Sequence, residues 1–146
     1  MKADFEVEED RERLSLVLVE IAETQADLTE RFYELFFESR PDARPLFGVH
    51  SLAEREEMMH ETFGSIHAWI EGEPWLLTNL EALGRSHWEY GVTADMYPSF
   101  VDTMIECARE VLQGRLDEGQ LRVLRHALEE IVRPMRLAGD EASAAS

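Results

Sequence analysis

His87 is the side chain whose placement carries the most chemistry. Leu76, Leu80 and Leu83 precede it at intervals that share one side of a helix, so a single imidazole joins an apolar stripe. One turn later stands Gly91, a residue type that ends helices because it tolerates positive φ. A lone imidazole on an apolar face, just before a helix stop, has the placement of a buried axial metal ligand. An ordinary core histidine has it too, and spacing alone leaves both readings open.

The other reactive side chains form weaker patterns. Met59 follows Arg55 by four residues and shares its face, whereas His60 points about 100° away from Met59 around the helix. His67 is seven residues beyond His60 on the same face, which favours packing or solvation for both; His50 and His126 belong to no pattern. Cys107 is the single cysteine, so no internal disulfide or Cys/His zinc pattern exists, and its apolar helix face suits a structural thiol. The chain contains no Gly-x-Ser-x-Gly, P-loop, His-Glu-x-x-His or dinucleotide-binding glycine turn.

The elements that must position these groups are all helical. Residues 1–7 read as a loose acidic lead-in. A helix is expected from about Glu8 to Thr24, on Leu14, Val17, Leu18 and Ile21, and a second from about Leu28 to Ser39. Pro41 and Pro45 force a tight corner. Ser51 with Glu54 forms a capping box that opens a third helix near Leu52, expected to run to about Ile70 before Gly72. Pro74 suits the first turn of the helix that carries His87. Thr93 can cap a helix reaching about Leu112, and Asp117 with Gln120 opens a last one ending near Leu137, with a kink at Pro134. Residues 138–146 read as a flexible tail, which makes 8–137 the folded domain. No alternating strand pattern or hairpin turn occurs, so the fold class is all-α, with six or seven helices.

Composition bounds the function. The 146 residues suffice for one domain with a substantial core, and 45% hydrophobic content is globular. Acids outnumber bases 31 to 14, a net −17, and such a field repels phosphates and anionic lipid. Nucleic acid and membrane are therefore not expected as partners. The first residues lack a signal-peptide core and no apolar run has the length of a membrane span, so a cytoplasmic location is expected.

Two separate motifs carry a family resemblance. Leu83-Gly84, His87, Tyr90-Gly91-Val92 and then Tyr97-Pro98 resemble the proximal haem-ligand segment of bacterial globins of the flavohaemoglobin and single-domain haemoglobin type. Upstream, Arg31-Phe32-Tyr33-Glu34-Leu35-Phe36, followed by Arg40 to Phe47, resembles that family's second helix with its distal tyrosine, and the corner after it. The resemblance covers roughly residues 8 to 137, nearly the whole chain. The resemblance implies a globin fold, a three-on-three helical sandwich around haem b (iron protoporphyrin IX), with His87 as axial iron ligand.

It also implies Tyr33 as distal donor to a bound gas, Phe47 against the porphyrin face, and a pocket completed by Arg55, Met59, Arg85, Val92, Tyr97 and Phe100. Arg44, Arg55 and Arg85 are candidate partners for the haem propionates. The corner after Phe47 is about two residues short by the family's spacing, which leaves open whether Arg55 and Met59 or His60 faces the iron; His60 would be an alternative distal ligand. In the family a tyrosine and a glutamate flank the proximal histidine. Tyr97 matches the tyrosine, but the glutamate's place falls near Gly139, with Asp140 and Glu141 as the nearest acids. A softer proximal histidine, as in oxygen carriers, is the expectation. The implied activity is reversible binding of dioxygen, with nitric oxide or carbon monoxide as further ligands. Nitric oxide removal or weak peroxidase turnover would need an external reductase. Gas sensing or electron transfer at six-coordinate haem, or signalling by a haem-free module, are the alternative functions.

Overall fold

A computed structural model describes residues 1–47 and 51–146. Six α-helices follow in order: α1 Glu9–Glu23, α2 Gln25–Ser39, α3 Leu52–Glu71, α4 Leu76–Tyr90, α5 Met96–Val111 and α6 Glu118–Ala145, with a 3-10 helix at Pro41–Phe47 between α2 and α3. There is no strand among the described residues.

Local chemistry sets the helix ends. Ser51 Oγ accepts the Glu54 amide at 3.2 Å and opens α3. Asp117 and Gln120 complete a reciprocal box at α6, with bonds of 2.8 and 2.9 Å. Gly91, at φ 104°, closes α4, and the amides of Gly91 and Val92 turn back onto the carbonyls of Trp88 and His87. The expected boundary at Leu28 is revised: α2 starts at Gln25, since Thr24 alone separates it from α1 and its carbonyl accepts the Leu28 amide at 2.9 Å. Pro74 lies in the turn before α4, and α5 begins at Met96, after a turn in which the Thr93 hydroxyl donates to the Asp95 carboxylate.

Packing explains two larger departures. α6 does not end near Leu137 but continues past Pro134 to Ala145. The proline removes one backbone donor, yet α4 lies against this stretch and Ala138 is buried. The lead-in is not loose either. Phe5 packs edge-on to Trp69 with centroids 5.2 Å apart, and the Arg11 guanidinium covers the Phe5 ring while donating to the Ile70 carbonyl at 2.7 Å.

α4 against α6 is the most extensive helix pair, followed by α2 against α5. The α4–α6 crossing requires Gly84, because a Cβ there would lie 2.1 Å from the Met135 carbonyl oxygen. The core runs through Leu14, Phe32, Met59, Trp69, Leu80, Met104 and Leu124. Cys107 sits inside it, its thiol donating to the Leu28 carbonyl at 3.4 Å and its pKa pushed by burial up to about 12. Asp10 is 2% exposed and joins α1 to α6 through Arg122 at 3.1 Å, with Arg13 at 2.8 Å.

The crossing and this ion pair give two expectations. Gly84→Ala forces apart two backbones with no flexible side chain to yield, so denaturant unfolding should show a loss of at least about 3 kcal/mol. The Arg122 guanidinium, with Arg13, holds the Asp10 carboxyl below the usual carboxylate range. The stability this contributes is present above roughly pH 4 and is lost as pH falls through the depressed value. Asp10→Asn should therefore lower Tm at pH 7 and flatten its decline in acid, as followed by circular dichroism.

Candidate functional site

The stripe of α4 that carries His87 faces a cavity enclosed by α2, the 3-10 helix, α3, α5 and α6. The cavity volume is about 160 Å³, and it opens to solvent at its mouth. The walls are mostly hydrocarbon: Phe36, Leu46, Leu80, Leu83, Ile131 and Met135 among them.

His87 is the imidazole in that wall. One turn back on α4, the Leu83 carbonyl lies 2.7 Å from Nδ1. A carbonyl only accepts, so Nδ1 carries the proton and donates, which leaves Nε2 with an unprotonated lone pair. Burial lowers the imidazole's pKa, against the Leu83 bond and the Glu61 carboxylate, which both raise it. The result is a neutral, oriented nitrogen donor on a rigid helix, with a main-chain carbonyl behind it.

Across the cavity stands Tyr33 on α2, 7% exposed. Its ring packs against Phe32 and Phe47 with centroids 5.1 and 5.3 Å away, and no hydrogen bond reaches its hydroxyl among the described residues. Burial pushes the phenol up to about 12, although the Arg55 charge works against that shift. It stays a protonated, uncommitted donor. Phe47, Met59, Val92, Tyr97 and Phe100 line the same cavity.

Three expected residues are placed elsewhere. His60 is exposed and outside the cavity, which corrects its reading as an alternative distal ligand; the 100° step from buried Met59 turns it to solvent. Arg85 is exposed and absent from the lining. Arg55 occupies an outer hollow, its guanidinium 5.4 Å from the Tyr33 ring and 5.3 Å from the Phe37 ring, its Nε buried without a partner. Arg44 lines that hollow as well, over Phe37 at 5.6 Å. Tyr33 is the wall between hollow and cavity, since it lines both. His50, and with it the short corner that left the α3 register open, lies outside the described residues.

Among the lining residues that the sequence did not single out, four come from α3. Met58, Glu61, Thr62 and Ser65 line the cavity at positions i, i+3, i+4 and i+7. That spacing was visible, but small polar residues among glutamates read as a solvated face.

On the proximal side, Tyr97 is buried beside the α4–α6 crossing, and burial, then the Asp140 charge, pushes its phenol up to about 12. At the place of the family's glutamate, Gly139 faces the Gly84 carbonyl and Trp88 Cβ, each 3.6 Å from where a Cβ would be. No carboxylate reaches His87 from α6; the Leu83 carbonyl does that work alone.

This constellation suits a haem: one nitrogen donor with its lone pair free, dry aromatic and aliphatic walls, and one unpaired phenol opposite. The guanidinium groups of Arg44 and Arg55 lie next to the cavity but not in it.

No protein-family model and no curated protein matches the chain. Solved structures do. A bacterial globin from Campylobacter jejuni superposes with a TM-score of 0.73 at 17% identity, over 95% of this chain and 98% of the other. A Pseudomonas aeruginosa protein described as structurally highly homologous to a human haemoglobin gives 0.77 at 15%, over 88% and 97%. An engineered carbene transferase, built on a Rhodothermus marinus protein provisionally named a nitric oxide dioxygenase, gives 0.75 at 19%, over 95% and 94%. Their similarity to this chain at such low identity is a similarity of architecture, and the chain has the all-α globin fold.

Proposed function

We propose that this protein is a haem globin that reversibly binds diatomic gases, dioxygen first among them. The observation that carries the reading is the Nδ1–H bond from His87 to Leu83 at 2.7 Å, which fixes the tautomer with Nε2 as the free donor. When bound, haem b would supply an iron that takes up a small neutral gas molecule.

The chain's own residues do the rest. His87 would hold the iron from α4, and its neutral form is the ligating one. A carbonyl partner polarises the imidazole less than a carboxylate would, which favours reversible binding over peroxidase-type activation. Phe47, Phe100 and the aliphatic wall exclude water. Tyr33, with its proton retained and no partner, is placed to donate a hydrogen bond to a gas molecule and slow its departure. Nitric oxide removal would draw electrons from an external reductase. Cytoplasmic residence is part of the same reading, and no helix among the described residues is long and apolar enough to cross a membrane.

Two measurements test this. Protein reconstituted with haem should show a Soret band that shifts on reduction with carbon monoxide. In His87→Gly that ligand-dependent shift should be lost and should return with added imidazole. An unchanged spectrum in the variant removes His87 from the iron. Tyr33→Phe should speed dioxygen dissociation in stopped flow about tenfold, the equivalent of one hydrogen bond of ~1.4 kcal/mol. An unchanged rate removes Tyr33 from the gas.

A further inference from the structure

A second group of ligating atoms lies on the far side of α6 from the cavity. His126 and Glu130 are four residues apart on one face of that helix, and Asp4 meets them from the docked lead-in. One imidazole nitrogen and two carboxylate oxygens stand within 4.8 Å of one another. It is the one such group of three among the described residues.

We propose that Asp4, His126 and Glu130 form a binding site for a divalent transition-metal cation of the zinc class, which bolts the N-terminal segment to α6. The spacing suits such an ion. Around a tetrahedral centre with bonds of about 2.1 Å, neighbouring donors stand roughly 3.4 Å apart. His126 Nε2 and Asp4 Oδ1 are 3.4 Å apart, longer than a good hydrogen bond and equal to that ligand separation. Nε2 now faces the Asp4 main-chain oxygen at 3.1 Å. With the proton moved to Nδ1, Nε2 becomes a donor and that oxygen lies beside the site. Glu130 completes the set with a carboxylate oxygen that lies within 4.8 Å of the other two donor atoms.

The scaffold is already ordered. α6 is held at its start by the Asp117–Gln120 box, and the His126 ring rests edge-on against buried Trp69, centroids 5.7 Å apart. Phe5, one residue from Asp4, packs on the other part of that indole. The donor set selects among ions. Magnesium and calcium take oxygen ligands, whereas imidazole with carboxylates suits zinc and its neighbours. Two carboxylates leave a negative site on a chain of net −17, which attracts a dication. Arg133 is a competing cation, paired with Glu130 at 3.0 Å.

This inference does not depend on the gas-binding reading, because no member of the set lines the cavity. It is tested on the full-length, tag-free protein, with and without haem, by calorimetric titration with zinc chloride and by the visible absorption of bound cobalt(II). One ion should bind per chain, raise Tm and change Trp69 fluorescence. His126→Asn and Glu130→Gln should each weaken binding at least tenfold and abolish the Tm rise, with unchanged far-ultraviolet circular dichroism. Asp4→Asn should weaken binding too, and Arg133→Gln should tighten it. His60→Asn with His67→Asn should leave it intact. No binding at millimolar zinc, or binding that survives His126→Asn and Glu130→Gln, overturns the proposal.

Discussion

The closeness of two backbones is the constraint on which this structure depends. Where α4 crosses α6, Gly84 has no room for even a methyl group above the Met135 carbonyl. This contact brings the apolar stripe of α4 to its partner helix and fixes where His87, three residues on, enters the interior. At Gly139 α6 offers no carboxylate, and a Cβ there would meet the Gly84 carbonyl and Trp88 only in ordinary van der Waals contact, so residue type and not lack of room leaves that place bare. Nδ1 of His87 bonds the Leu83 carbonyl of its own helix.

The opposite wall obeys a different logic. Tyr33 is held by rings rather than by hydrogen bonds: Phe32, Phe37 and Phe47 surround it, and Arg55 lies over its outer face. Aromatic packing fixes the ring while leaving the hydroxyl free. A hydroxyl already bonded to a protein acceptor would have less to offer an incoming ligand. The polar row of Thr62 and Ser65 on α3 does not compete for it, for Thr62 bonds its own helix at Met58.

Much of this was legible in the chain because the signals were local. Ser51, Gly72, Gly91 and Asp117 mark helix ends through backbone conformations or amides that only those residue types serve well. His87, Tyr33, Phe47, Met59, Val92, Tyr97 and Phe100 line one cavity. What failed was non-local. The end of α6 depends on its burial against α4: the chain alone suggested a kink at Pro134 and an end near Leu137, and tertiary contact carries the helix on to Ala145. The docking of Phe5 depends on Trp69, 64 positions away in the numbering. Asp10 looked like one acid among many, yet it is the one buried against Arg122. Arg55 and His60 were misplaced or left undecided because rotation of α3 cannot be counted along a chain whose preceding corner is short.

Arg40 makes the two ends of the cavity mechanically unlike. Its guanidinium holds Asp42 in the 3-10 helix at 2.7 Å and Asp95 before α5 at 3.1 Å, tying the segment that bears Phe47 to the one that bears Tyr97 and Phe100. That clasp is ionic, whereas the α4–α6 side is closed by atoms in direct contact. Mobile ions screen the first and leave the second untouched. The two sides of the cavity therefore differ in how strongly dissolved salt weakens what closes them.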